Sequence, residues 1–478
     1  MPALDPVLAH LEADFDKAVG RWSDFLRIPS ISTDPAYAAE TRRAAEWIAG
    51  QLRGLGFEAS LRATPGHPMV VAHHPGPGPG EGGGPHVLYY GHYDVQPPDP
   101  VELWHSGPFE PTVVEAERGP RMVARGAVDD KGQVMTWLEA FRAWIAVHGT
   151  LPVRVSVILE GEEETGSPSL PDFLRANKDE LKADVCVVSD TNSWDIDTPA
   201  ISYMLRGLLY VDLTLHGPNR DLHSGMYGGA VLNPLNSLTR ILGDLHDDRG
   251  RVQIPGFYDD VREPSVAERE AWDLLGFDEA AFLGEIGLKT PAGEAGRSIL
   301  ERLWSRPTCD LNGLFGGYTG AGAKTVIPAH ASAKLSCRLV PEQDPQKILD
   351  GIRRFLDART PPDGRWEIAT HGASRAIRVP TESPYLQAAA AGLRDIYGRE
   401  PVLIGVGGSI PVVGMIQDIL GFDSLLVGFG LDDDRIHSPN EKFELACFRN
   451  GMRSHAAILA RLAGVDPKQK PESRLAIK

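Results

Sequence analysis

The sequence predicts an α/β protein, a sheet with helices on both faces, interrupted by a smaller α+β unit. Three observations carry that expectation. Apolar runs of strand length alternate with helical periodicity through the N-terminal part, the composition changes after Arg206-Gly207, and the alternating style returns near Thr381. At 478 residues the chain exceeds what one hydrophobic core usually organises. Two domains are therefore expected, one from 1–207 with 380–478 and a second from 208–379.

Val7, Leu8, Leu11, Phe15, Val19, Trp22 and Leu26 recur at helical spacing and Pro29 stops the pattern, which predicts an opening amphipathic helix. A second helix carries Ala44, Trp47, Ile48, Leu52 and Leu55 and leads into extended stretches near 57–64 and 69–74. The runs PHVLYYGH, VRVSVILE and ADVCVVSD read as buried strands, separated by helical patterns from Lys131 to His148 and near 168–178. In the inserted part, LLYVDLTLHG and KLSCRLV read as strands, 233–247 and 345–358 as helices, and the stretch up to about 306 as polar and irregular. The last part holds the helix of YLQAAAAGLRDIYG, the strand FDSLLVG and a closing helix from Phe443 to Ala463. GPGPGEGGGP at 76–85 has no lysine after it and no helix start beyond it, so it reads as a hairpin connection rather than a phosphate loop.

Hydrophobic residues at 42% and charged residues at 24% are the balance of a chain that folds throughout. A net charge of −17 with no basic stripe excludes nucleic acid as a natural partner. Cys186, Cys309, Cys337 and Cys447 are too scattered for a disulfide framework or a zinc knuckle and suit a reducing compartment. The N-terminal residues carry acids where a signal peptide carries lysines, and no uncharged apolar run approaches eighteen residues. A cytoplasmic protein without a membrane partner is expected.

The chemistry concentrates at strand ends. Tyr90-Gly91-His92-Tyr93-Asp94 closes one apolar run, and residues two apart on a strand face the same way. Asp94 can accept the proton of one imidazole nitrogen of His92, leaving the other oriented towards a metal. Arg125-Gly126-Ala127-Val128-Asp129-Asp130 places two acids where a glycine turn meets a helix. Adjacent acids there commonly serve as caps, yet a carboxylate on a turn can also bridge two cations, one oxygen to each. Glu160, Glu162, Glu163 and Glu164 follow a buried strand directly. Carboxylates so crowded raise one another's pKa unless cations neutralise them, which favours a metal site over a solvated loop. Asp190 ends a further apolar strand and His437 supplies a second histidine far along the chain. Two histidines with several carboxylates suit zinc first, then manganese or cobalt, rather than calcium.

The ordered strings YGHYDVQP, GAVDDKG, EGEEETGS, SDT, DLHSGMYGG, KTVIP, CRLVP, GGSIP and IHSPNEK resemble the metal-dependent, carnosinase-like dipeptidases of the aminoacylase and carboxypeptidase superfamily, over nearly the whole chain. The resemblance implies a zinc-peptidase-like catalytic domain interrupted by a ferredoxin-like lid that mediates dimerisation, here a homodimer. It implies two divalent metal ions, one held by His92 and Asp190, the other by Glu164 and His437, with Asp129 between them. Glu163 takes the place of the general base, Asp94 that of the residue orienting His92, and His223 that of the oxyanion donor. Thr325, Arg338 and Ser409 match positions that hold the C-terminal carboxylate of a small peptide substrate. One departure stands out: relatives usually carry Arg-Glu before Gly-Gly-Ser, whereas Gly405-Val406 occupy those places here. The implied activity is hydrolysis of a dipeptide amide bond. Deacylation of N-acyl amino acids or C-terminal trimming by the same centre is the neighbouring alternative, and a binding protein on a dead hydrolase scaffold is the alternative from another class.

Overall fold

A computed structural model describes residues 2–77, 84–408 and 410–467. Ser409 and most of the glycine-rich connection at 76–85 lie outside the described residues. The chain divides into two compact units, one of Met1–Tyr203, Val379–Ile404 and Met415–Lys478, the other of Met204–Arg378 and Gly405–Gly414. The stretch Gly405–Gly414 thus groups with the second unit, whereas the composition of the sequence had placed it with the first.

The first unit is built on a mixed sheet. Its strands run in the order Glu58–Arg62, Met69–His74, Arg154–Glu160, His86–His92, Val185–Val188, Ser424–Leu426 and Ala200–Leu205. The three pairings in the middle are parallel and those outside them antiparallel. The middle strands are apolar almost throughout, as expected of strands covered on both sides. Helix Lys131–His148 is the centre of the packing: every residue from Lys131 to Phe141 is buried. Tyr89 of the sheet meets Trp137 and Phe141 of that helix and His455 of the closing helix, Leu445–Leu462.

Three expectations for this unit need correction. The connection at 76–85 does not join a hairpin, because strand Arg154–Glu160 lies between Met69–His74 and His86–His92. The opening helix is two, Asp5–Ala13 and Phe15–Leu26, broken at Asp14. Asp14 bonds Arg21 at 2.6 Å and Lys17 at 3.1 Å, so the break carries a local ion pair that apolar periodicity does not reveal. The closing helix starts at Leu445 rather than Phe443, because Lys442–Glu444 pairs as a strand with Arg121–Val123.

The second unit has a four-stranded antiparallel sheet in the order Thr308–Gly316, His330–Leu339, Gly207–His216, Arg365–Ser374. With helices Pro234–Gly243 and Pro345–Asp357 the chain order is βαββαβ, the ferredoxin-like arrangement. Alternate residues Leu209, Val211, Leu213 and Leu215 point into a core shared with Leu238, Ile241, Ile352 and Phe355 of the two helices. The stretch up to about 306, expected to be irregular, contains helices Val266–Asp273, Glu279–Glu285 and Ile299–Trp304. Capping boxes Ser265/Glu268 and Ser298/Glu301 start two of them. Arg306, Glu294, Glu263 and Arg297 tie the segment with ion pairs of 2.7–2.9 Å.

His455 is fully buried, with its Nε2 3.0 Å from the Ser189 hydroxyl, and burial pushes its pKa from 6.5 down to about 3. The unfolded chain therefore takes up this proton first as the pH falls. The contribution is complete above 6.5 and is lost towards 3, with a slope of about 1.4 kcal/mol per pH unit. Urea midpoints measured against pH should show His455→Gln with a shallower acid arm than wild type in that window; parallel arms would refute this.

Candidate metal centre

In an open sheet the loops beyond the C-terminal ends of parallel strands are where ligands gather. Strands His86–His92, Arg154–Glu160 and Val185–Val188 end side by side, which delivers His92, the Glu163-Glu164 turn and Asp190 to one edge. Two sets of donors form there. One atom from each of His92, Asp129 and Asp190 lies within 4.8 Å of the others, and the same holds for Asp129, Glu164 and His437. Asp129 belongs to both sets. Its Oδ1 is 3.1 Å from His92 Nε2 and its Oδ2 is 3.0 Å from His437 Nε2, which is itself 3.3 Å from Glu164 Oε2.

Asp94 lies beyond the end of its strand and touches both sets. Its Oδ1 is 3.3 Å from His92 Nδ1, and its Oδ2 accepts from the Ser32 hydroxyl at 2.6 Å and the Glu164 amide at 3.1 Å. His92 Nδ1 is hydrogen-bonded to the main-chain carbonyl of Asp94 at 3.1 Å, with Oδ1 of the same residue at ion-pair distance, which leaves Nε2 as the atom facing Asp129 and Asp190. Gln96 donates to Glu164 Oε2 at 2.8 Å. His437 is presented by an irregular turn in which Arg435, His437 and Asn440 all have φ between 57° and 63°. Left-handed backbone at three non-glycine residues so close together is the kind of local cost that clusters at functional sites.

The four acids after strand Arg154–Glu160 do not act as one cluster. Glu160 turns inward and accepts from Tyr90 at 2.6 Å and Ser167 at 2.9 Å, and Glu162 accepts from the His67 amide at 3.2 Å. Glu164 joins a donor set, and Glu163 stands beside it. Asp130 does not cap its helix; its Oδ2 accepts from the His92 amide at 3.1 Å.

The electrostatics show what the donors need. Burial pushes Glu163 up to about 8, with the charges of Asp129 and Glu164 adding to the effect and His92 opposing it. Burial and the charges of Asp129 and Asp130 raise Asp190 well above the carboxylate range. Against the pull of burial, hydrogen bonds from His437 and His92 hold Asp129 low. Hydrogen bonds to Asp129 and Glu164 lift His437 to about 10. Acids that repel one another and share protons with imidazoles are relieved when cations take the protons' places, and these nitrogen and oxygen donors fit zinc, manganese or cobalt.

Glu441, for which the sequence suggests no role, supports the centre. It is fully buried, and its Oε2 accepts from Arg125 at 2.8 Å and the Gly126 amide at 2.9 Å. Its Oε1 accepts from the amides of Val128 at 3.0 Å and Asp129 at 3.1 Å. The backbone behind the shared carboxylate is fixed by a residue four positions from His437. Nothing local in Asn440-Glu441-Lys442 signals that burial.

The remaining candidates lie in the second unit. Strand Leu222–His223 pairs with Val326–Ile327, and the Thr325 carbonyl accepts from the Ser224 amide at 3.1 Å, so His223 and Thr325 are brought together. His223 Nδ1 accepts from the Gly225 amide at 3.0 Å, which puts its proton on Nε2 as an outward donor. Arg338 is half-buried on strand His330–Leu339, opposite Leu208 and Thr308. The Gly405 departure has a steric reason: a Cβ there would stand 2.6 Å from Cβ and Cγ of Trp304.

Fold and centre together define a metal-dependent hydrolase. Residues 88–461 match peptidase family M20/M25/M40, and the chain belongs to that family. It is 31% identical to the Cys-Gly metallodipeptidase of Schizosaccharomyces pombe, covering 97% of this chain and 99% of that one. To the Beta-Ala-His dipeptidase of Homo sapiens it is 30% identical, covering 96% and 93%. The crystal structure of an M20 family metallo-carboxypeptidase from Sulfolobus solfataricus superposes with a TM-score of 0.82 at 33% identity, covering 93% of this chain and 99% of that one. Among the described residues no helix is long and apolar enough to cross a membrane.

Removing a group that orients metal ligands typically costs tenfold or more in metal affinity. Glu441→Ala should therefore weaken zinc or manganese binding by about that factor, read by competition with a chelating dye. Wild-type affinity in a folded variant would show that the turn does not need its clasp.

Proposed function

We propose that this chain is a di-metal dipeptidase. The observation that carries the proposal is the pair of donor sets sharing Asp129, with the raised carboxyl of Glu163 beside them. His92, Asp129 and Asp190 would hold one cation and Asp129, Glu164 and His437 the other. When bound, two divalent cations, zinc in the first instance, would acidify a water and polarise the scissile carbonyl. Glu163 takes the proton of the attacking water and returns it to the departing amine. Asp94 keeps His92 in the tautomer the centre requires, and the Nε2 proton of His223 serves the oxyanion. Thr325, Arg338 and Ser409 hold the substrate's carboxylate.

A dipeptide is the preferred substrate because the two curated relatives compared above are named for Cys-Gly and Beta-Ala-His dipeptides. The likeness to the Sulfolobus carboxypeptidase favours a second reading, trimming of a C-terminal residue from longer chains. A homodimer through the second unit is part of the proposal. The edge strand Thr308–Gly316 supports it, with Leu311, Leu314 and Phe315 each about half exposed beside unpaired-edge backbone. A cytoplasmic setting agrees with four buried, unbridged cysteines.

Stripped of metal, the protein should be inactive and should regain hydrolysis with zinc, manganese or cobalt, tested on dipeptides, tripeptides and N-acyl amino acids. Cleavage confined to dipeptides supports the proposal, cleavage extending to longer peptides the second reading, and silence with metal bound the dead scaffold. Glu163→Gln should keep its metal content while losing turnover by about a thousandfold or more, the upper range for proton transfer being about 10⁴-fold. Turnover at the wild-type rate would remove Glu163 from the role of base. If His223 serves the partner's centre, mixing His223→Ala with Glu163→Gln under subunit exchange should restore activity, and failure with exchange confirmed would exclude action in trans.

A further inference from the structure

We propose that Arg206 is the buried half of a two-guanidinium anion subsite whose more open half is Arg338. On this view the second unit selects a free carboxylate and rejects a neutral C-terminus. The inference rests on the carboxylate role given to Arg338 above and adds a positioning residue to it.

Strand register brings the two arginines together. Gly207 stands opposite Leu339 and Leu208 opposite Arg338 on the antiparallel partner. Side chains alternate along a strand, so Arg206, just before it, falls on the face of Leu208 and Arg338, one diagonal step away. Arg338's charge acts on Arg206, which burial and that charge bring down to about 10. Arg206 is 8% exposed. Asp310, on the neighbouring edge strand, acts on both arginines, so one acid faces two guanidiniums.

Arg206 also shapes the turn that precedes Ser409. Its Nε donates to the Gly407 carbonyl at 2.8 Å, and its amide is shared between the carbonyls of Val406 at 3.3 Å and Gly408 at 3.2 Å. A Cβ on Gly407 would stand 3.0 Å from its Nη2, so glycine lets the turn lie against the guanidinium. Arg206 is buried and Arg338 half-buried, and their like charges, only partly offset by Asp310, repel; a substrate carboxylate beside them would turn the remaining cost into binding. A carboxylate presents two oxygens in one plane, the shape that a fork of N–H donors matches; an amide presents one acceptor and no charge. The ligand class is therefore a short peptide with a free C-terminal carboxylate.

The test compares the best dipeptide of the panel with its C-terminal amide, using KM for the acid and KM or the competitive inhibition constant for the amide. Wild type should favour the acid at least tenfold; equal affinity would overturn the carboxylate role of Arg338 and this inference with it. Arg206→Gln keeps a donor for Gly407 but removes the charge. It should raise KM for the acid at least tenfold, leave kcat within threefold and leave the amide unchanged. Arg206→Lys keeps the charge without the fork and should lose about threefold, on the acid alone. If Arg338→Gln erases the preference for the acid while Arg206→Gln weakens acid and amide equally, or neither, Arg206 is structural and the inference falls while the reading of Arg338 stands. Should Arg206→Gln fail to fold, Arg206→Lys decides: a loss confined to the acid supports the inference, and any other result overturns it.

Discussion

The centre depends on one buried carboxylate that is not itself among its donors. Glu441 accepts three backbone amides and a guanidinium from the turn Arg125–Asp129, which uses both of its oxygens fully. Burial, with the charge of Asp129, raises its pKa, and the Arg125 charge and the amides of Asp129 and Gly126 pull against that shift. The constraint is needed because Asp129 must sit among Glu163, Glu164 and Asp190, where like charges would drive a free turn outward. Asp94 plays the same part on the other side, with one oxygen towards His92 and the other on the backbone of Glu164. The candidate donor groups are thus positioned by the protein's own hydrogen bonds.

Sheet topology explains how residues so far apart in sequence meet. Three parallel strand ends deliver His92, Glu164 and Asp190, and the start of the most buried helix delivers Asp129. His437 comes from a turn with left-handed backbone. Asn440 joins that turn to the loop after the first histidine, accepting from the His105 amide and donating to the Leu103 carbonyl, each at 2.8 Å.

Much of this was legible because the strongest sequence signals coincide with the site. The helix Lys131–His148 has the limits the pattern predicts, with Asp130 before it and Gly149 in left-handed backbone after it. The acids and histidines at strand ends were conspicuous against apolar runs. Other features carried weaker signals. The edge strand Thr308–Gly316 exposes most of its side chains and shifts register near Gly313, so its alternation is blurred. The helices at 266 and 299 announce themselves through Ser-x-x-Glu caps, which a reading guided by apolar periodicity passes over. Glu441 was illegible for a deeper reason: an acid in a polar turn looks solvated until the fold closes over it.

The contact between Gly405 and Trp304 limits how this chain can change. A side chain at 405 collides with the indole before it reaches any substrate, and shrinking Trp304 alone leaves a void beside Gly405 and strips Trp272 of its edge-on partner. Position 405 cannot take a side chain while Trp304 keeps its place. The two are sterically coupled, so a larger residue at 405 would call for a smaller one at 304.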